Sequence, residues 1–182
     1  ENYVNKYKMI DQFCDIIFKI INYYLSKNLQ PDLIISDIKE LSSDNLDDLI
    51  IQGIKGFIID LDETLRFDCK DIPECNKQWL QMAKTKLKII VLSNGYCQNT
   101  EKYLKKVGIN YIALAYKPLK ISIIKAINDL NLSPDEIFMI GDDYFCDIYG
   151  GSRNKLKTIL VDNKLKKIID NISNNKEYCH LK

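Results

Sequence analysis

A chain of 182 residues, 46% of them apolar, can bury a single core without disulfide or metal staples. Its formal net charge of +1 gives no general electrostatic reason to bind nucleic acid, and the local lysine groups (Lys102, Lys105, Lys106 and Lys164, Lys166, Lys167) read as solvated helix faces. The single histidine, His180, stands third from the end, which disfavours hydrolases that need a positioned imidazole and leaves the chemistry to carboxylates, lysine, hydroxyls and a metal.

Six cysteines, at 14, 69, 75, 97, 146 and 179, contain no C-x-x-C pair and no His/Cys ligand spacing. That pattern disfavours a zinc site and a disulfide framework and implies a reducing, cytoplasmic setting. No apolar run approaches the roughly 20 residues that span a bilayer, and the first residues carry no signal-peptide pattern. The chain starts at Glu1, so more of it is expected upstream.

From about Tyr3 to Leu25, apolar residues including Tyr7, Ile10, Phe13, Ile17, Phe18, Ile21 and Leu25 recur at helical spacing, with Asp11, Asp15, Lys19 and Asn22 between them. A long amphipathic helix is predicted, ended between Asn28 and Pro31. Its stripe either docks on the domain or a second copy, or lies on a membrane as an interfacial helix; the mixed charge signs of its polar face favour docking. The expected division is an extension over 1–28 and a domain over 29–182.

Leu33 to Ser36 is a short extended piece, and Ser43-Asp44 caps a brief helix closed by Gly53. Phe57 to Ile59 is a buried strand that ends in Asp60 and Asp62. Side chains at i and i+2 of a strand share a face, so these two carboxylates can lean over one site, where a cation or a shared proton would relieve their repulsion. D-x-D alone recurs by chance, and the plain alternative is a strand leaving into an acidic turn. Pro73 opens a helix through Trp79 to about Lys84, and Leu87 to Leu92 is a second apolar run ending at Ser93-Asn94-Gly95.

A helix over Thr100 to Val107, a strand over Tyr111 to Ala115 reaching Lys117-Pro118, and an amphipathic helix marked by Ile121, Ile124, Ile127 and Leu130 follow. Ile137 to Ile140 runs into Gly141-Asp142-Asp143. A helix or loop from Asp147 to Arg153, a strand over Thr158 to Val161 and a terminal helix from about Lys164 complete the chain. Short Ile-rich strands alternating with helices of about ten residues indicate βαβ crossovers. The expected fold is α/β, a Rossmann-like parallel sheet of about five strands with helices on both faces. Ligands bind such sheets beyond the carboxyl ends of the strands. Four strands end there in Asp60/Asp62, Ser93/Asn94, Lys117 and Asp142/Asp143, the parts that hold a divalent cation and a phosphoryl group together.

These motifs, Asp60-Leu-Asp62-Glu63-Thr64, Ser93, Lys117 and Gly141-Asp142-Asp143 with Asp147, resemble those of the haloacid-dehalogenase-like (HAD) phosphatase superfamily. More narrowly, Ile54-Lys-Gly-Phe through Thr64, Leu92-Ser-Asn, Lys117-Pro118 and Gly141 through Val161 are similar to the YqeG-type, subfamily IIIA branch, which also contains phosphatidylglycerophosphate phosphatases. The resemblance runs from about Leu29 to Asp162. It implies an aspartyl-phosphate mechanism with Asp60 as nucleophile and Asp62 as acid and then base. It further implies that Ser93 and the amide of Asn94 hold phosphoryl oxygens and that Lys117 balances charge. Mg2+ is expected on Asp60, the Asp62 carbonyl and Asp142, with Asp147 and Asp143 near it and Thr64 supporting the loop.

Glu63 and Asp143 depart from the branch, which usually has asparagine and glutamine there. Both add negative charge, which favours metal and disfavours a highly anionic substrate. The gaps from Leu65 to Ser93 and from Gly95 to Lys117 hold little more than crossover helices, so no cap domain is expected. An open site suits a phosphate on a large substrate, such as a phospholipid headgroup, with peripheral membrane contact through residues 1–28. The competing readings are a phosphatase for a soluble sugar, nucleotide or protein phosphate, and a phosphoryl-binding scaffold with little turnover. A homodimer is the further expected partner, and nucleic acid is not expected.

Overall fold

The computed structural model describes residues 2–163, with side chains over 12–163. The predicted terminal helix from Lys164, with Cys179 and His180, lies outside the described residues.

Six parallel strands form one sheet: β1 (Leu33–Ile35), β2 (Gly56–Ile59), β3 (Lys88–Leu92), β4 (Asn110–Ile112), β5 (Ile137–Gly141) and β6 (Lys157–Val161). Their order across the sheet is β1-β6-β5-β2-β3-β4. The strand added to the expected five is the short piece at Leu33, which pairs with β6 at the sheet edge. Asp32 fixes that edge: its carboxylate accepts from the Thr158 N–H at 2.7 Å.

β2 is central because every residue in it is buried, Phe57 and Ile59 on one face and Ile58 on the other. A strand covered on both sides reads as a continuous apolar run, which is why this stretch does not alternate in sequence. α2 (Ser43–Ile51), α3 (Glu74–Lys84) and α4 (Gln98–Lys106) cover the Phe57 face through Leu46, Leu49, Trp79, Leu80, Ala83 and Leu104. α5 (Lys120–Leu130) covers the Ile58 face through Ile123, Ala126 and Leu130. The cap of α2 is Ser42, one residue before the predicted one, in a reciprocal pairing with Asn45.

From central β2 the chain steps outward to β3 and β4, then crosses back to β5 on the other side of β2. The order therefore reverses between β2 and β5, and a crevice opens at their carboxyl ends. After β5 the backbone makes a π turn (Tyr144–Tyr149), then a short helical piece (Gly150–Ser152). The N-terminal helix α1 (Asn2–Asn28) leans on this turn. Phe18 and Phe145 meet edge to face with centroids 5.9 Å apart, and the Phe145 N–H donates to Asn22 Oδ1 at 3.0 Å. Docking is partial, because Phe13, Ile16, Ile20, Tyr23 and Tyr24 stay exposed. No helix among the described residues is long and apolar enough to cross a membrane.

Buried side chains tie the helices to the strand ends. Trp79 Nε1 donates to the Leu41 carbonyl at 2.8 Å, and Asn76 Nδ2 donates to the Leu65 carbonyl at 2.9 Å, holding the loop after β2 against α3. Asn76→Ala leaves that buried carbonyl unpaired and is expected to cost about 1–3 kcal/mol, read as a lower midpoint in urea unfolding with an unchanged slope.

Candidate active site

Four neighbouring strands deliver their polar ends to one edge. Asp60 follows β2, Ser93 follows β3, Lys117 lies beyond β4, and Asp142 follows β5. Lys117 is the hub. Its side chain is 2% exposed, and its ammonium pairs with Asp60 Oδ1 and, at 2.7 Å, with Asp147 Oδ1. Burial alone would push that amine down, but the Asp147 and Asp60 carboxylates outweigh it and hold the amine well above its ordinary value.

The Lys117 backbone is clamped by the Asn94 amide, which accepts from the Lys117 N–H at 2.6 Å and donates to its carbonyl at 3.2 Å. Cys146 Sγ lies 3.4 Å from the same carbonyl, in surroundings that push the thiol up, chiefly by burial.

Carboxylate oxygens of Asp60, Asp142 and Asp147 lie within 4.8 Å of one another. Three acids against one ammonium leave two formal negative charges, and hard oxygens at this separation fit Mg2+. Asp147 therefore belongs to the acidic centre itself, where the sequence suggests only a neighbouring role. The close approach that brings it there depends on Gly141, since a Cβ on residue 141 would stand 2.1 Å from Asp147 Oδ2.

Burial raises the carboxyls of Asp60 and Asp147, with Lys117 opposing the shift in both. Asp142 is pushed up to about 8, by burial first and then by the charges of Asp147, Asp60 and Asp143. Asp143 faces elsewhere: its Oδ1 accepts from the N–H groups of Phe145 and Cys146, at 2.9 and 2.7 Å, capping the π turn.

Asp62 lies outside this cluster and beside it. Its Oδ2 accepts from Ser93 Oγ at 3.2 Å. Its Oδ1 accepts from Arg66, from Nε at 2.8 Å and from Nη2 at 2.7 Å. Sequence reasoning overlooked Arg66. The available signal was an arginine four residues after an aspartate and directly after the apolar Leu65. The turn between them is tight: the Glu63 N–H donates to the Arg66 carbonyl at 2.7 Å and the Arg66 N–H to the Leu61 carbonyl at 3.0 Å.

Glu63 has φ +59°, the left-handed region that asparagine tolerates better than glutamate. Its carboxylate accepts from the Asp68 N–H at 3.1 Å, so it closes the loop locally. Thr64 is buried, and its hydroxyl has no hydrogen-bond partner among the described residues.

The motif residues at these strand ends resemble those of HAD-like proteins. A HAD-hydrolase-like family model matches residues 115–167, the stretch holding Lys117, Asp142 and Asp147. Probable phosphatase YqeG of Bacillus subtilis (strain 168) is 29% identical over 139 residues, 75% of this chain and 79% of that protein. Among solved structures, an uncharacterized protein from Listeria monocytogenes serotype 4b superposes with a TM-score of 0.48 at 22% identity, covering 59% of this chain and 78% of that one. A hypothetical protein from Xanthomonas campestris gives 0.45 at 16%, covering 58% and 63%. These findings support a HAD-like phosphatase, and within that class the YqeG type is what the chain resembles in motif and sequence.

The Asp142 shift sets a pH signature for metal-free protein. A carboxyl whose folded value is raised stabilises the fold fully below its unfolded value of 3.8, and that contribution is lost as pH rises towards about 8. In chelator, Asp142→Asn is expected to unfold at a higher temperature than wild type at pH 8 and at the same temperature near pH 4. Parallel wild-type and variant melting curves across that range would contradict it.

Proposed function

We propose that the chain is a Mg2+-dependent phosphomonoesterase working through an aspartyl-phosphate on Asp60. The observation that carries this reading is the buried ammonium of Lys117 between Asp60 and Asp147, with Asp142 completing a three-carboxylate centre.

In this reading an Asp60 oxygen attacks phosphorus while the bond to the leaving oxygen breaks and Asp62 protonates that oxygen. Asp62 then takes a proton from the water that attacks the phosphorus of the intermediate, releasing inorganic phosphate and restoring Asp60. Ser93 and the Asn94 N–H hold phosphoryl oxygens, and Lys117 balances the charge gathered at Asp60. Asp60, Asp142 and the Asp62 carbonyl would hold Mg2+, with Asp147 beside them. When bound, the cation supplies charge neutralisation for the phosphoryl group. Thr64 and Asp143 support the two loops.

A large substrate is favoured, with phosphatidylglycerophosphate the most specific candidate. Two features support it. Between Leu65 and Ser93 the chain has only α3 and β3, and between Gly95 and Lys117 only α4 and β4, with no element sized to enclose a small molecule. Beside Asp142 and Asp143, Phe18, Asn22 and Tyr23 of α1 help line a cavity of about 600 Å3, and the exposed Phe13, Ile16 and Ile20 of the same helix suit contact with a lipid surface. A second copy of the chain is the competing cover for that stripe.

The test is hydrolysis by Mg2+-loaded protein of phosphatidylglycerophosphate in mixed micelles against soluble sugar and nucleotide phosphates. Turnover is expected to prefer the lipid, to fall at least about 10³-fold in Asp60→Asn, and to lose the lipid preference in an Ile16→Asp, Ile20→Asp double variant. Equal turnover of soluble phosphates would remove the lipid assignment, and no hydrolysis of any ester would remove the enzymatic one.

A further inference from the structure

Arg66 is among the few buried charged residues outside the acidic centre, and the mechanism above gives it no task. Its side chain is 7% exposed, whereas that of Asp62, its partner, is 39% exposed. The two are joined by a fork in which Nε and Nη2 both meet Oδ1. Two donors converging on one oxygen pin Oδ1 in place, and the Ser93 contact at Oδ2 completes the orientation of the carboxylate. The fork also divides the oxygens: Oδ1 is committed to the guanidinium, and Oδ2 faces Ser93 Oγ at 3.2 Å. The turn from Leu61 to Arg66 sets where the guanidinium can lie, and Asn76 anchors that turn to α3 through the Leu65 carbonyl. Asp62, a half-exposed side chain on a loop, thus acquires one orientation.

We propose that Arg66 is a positioning residue that grips Asp62 by Oδ1 and aims Oδ2 at the oxygen leaving a phosphoryl group seated on Ser93. The inference rests on the phosphatase reading, since it assigns a task within that reaction. Proton transfer contributes about 10²–10⁴-fold and demands heavy-atom placement within hydrogen-bond reach, so a carboxylate free to rotate forfeits much of it. The loss falls on substrates whose leaving group must be protonated. A p-nitrophenolate leaves without a proton, whereas a glycerol alkoxide does not. An arginine that served only to close the loop would affect both alike.

The experiment compares kcat/KM for glycerol 2-phosphate and for p-nitrophenyl phosphate, because kcat/KM reports steps only through the first irreversible transfer, before hydrolysis of the intermediate. Arg66→Met is expected to lower the value for glycerol 2-phosphate at least about tenfold while changing that for p-nitrophenyl phosphate less than about threefold. Arg66→Lys, which keeps the charge and loses the fork, is expected to fall between wild type and Arg66→Met. Arg66→Gln carries the same comparison if Arg66→Met does not fold. Equal losses on both esters, or no loss on either, would overturn the assignment. Failure of wild-type protein to hydrolyse either ester would instead remove the phosphatase reading on which it stands.

Discussion

One ammonium organises this end of the molecule. Three carboxylates, one from the end of β2 and two from the stretch after β5, would repel one another in a site where burial already disfavours their charge. Lys117 makes their assembly tolerable, and it can do so because its backbone is held by Asn94 while its side chain passes through the interior to Asp60 and Asp147. The sheet order follows the same requirement. Placing β5 beside β2 brings Asp142 and Asp147 to Asp60, and placing β3 on the other side brings Ser93 and Asn94. β2, buried at every residue, anchors the whole.

Most of this was legible in the sequence because two periodicities dominate it. Unbroken apolar runs at Phe57, Leu87 and Ile137 mark buried parallel strands, and the polar residue after each run falls at a strand's carboxyl end regardless of details. Less legible features depend on contacts between distant segments or on backbone shape. The extended piece at Leu33 is read from the sequence, but its place at the sheet edge beside β6 is a pairing that no local pattern encodes. The π turn after Asp143 arises where the chain must turn sharply to bring Asp147 back beneath Gly141. Arg66 was hidden because an arginine next to an apolar residue ordinarily lies on the surface with its head in water, and only the fold shows it buried.

Glu63 and Asp143, the two departures from the branch, have separate explanations once their backbones are known. Each looked like added charge at the site. In the structure each carboxylate is engaged with nearby N–H groups, Glu63 across the loop to Asp68 and Asp143 at the start of the π turn. The two differ in what reaches the centre: the charge of Asp143 still raises the carboxyls of Asp142 and Asp147, whereas Glu63 is turned to its own loop. The first helix shows similar divided duty, with Phe18 and Asn22 holding the π turn while neighbouring apolar residues face outward.

Cys146 also bears on how the protein meets its chemical surroundings. Its sulfur is buried against the Lys117 carbonyl, and burial pushes the thiol up, which disfavours the thiolate that electrophiles and peroxides attack. Cys97 differs: burial would raise its thiol, but Thr100 and Arg66 outweigh that and lower it. With Cys14, Cys69, Cys75 and Cys179 replaced, a thiol-directed label would therefore favour Cys97, on the Asp62–Arg66 side of the crevice, over the buried Cys146 on the lysine side.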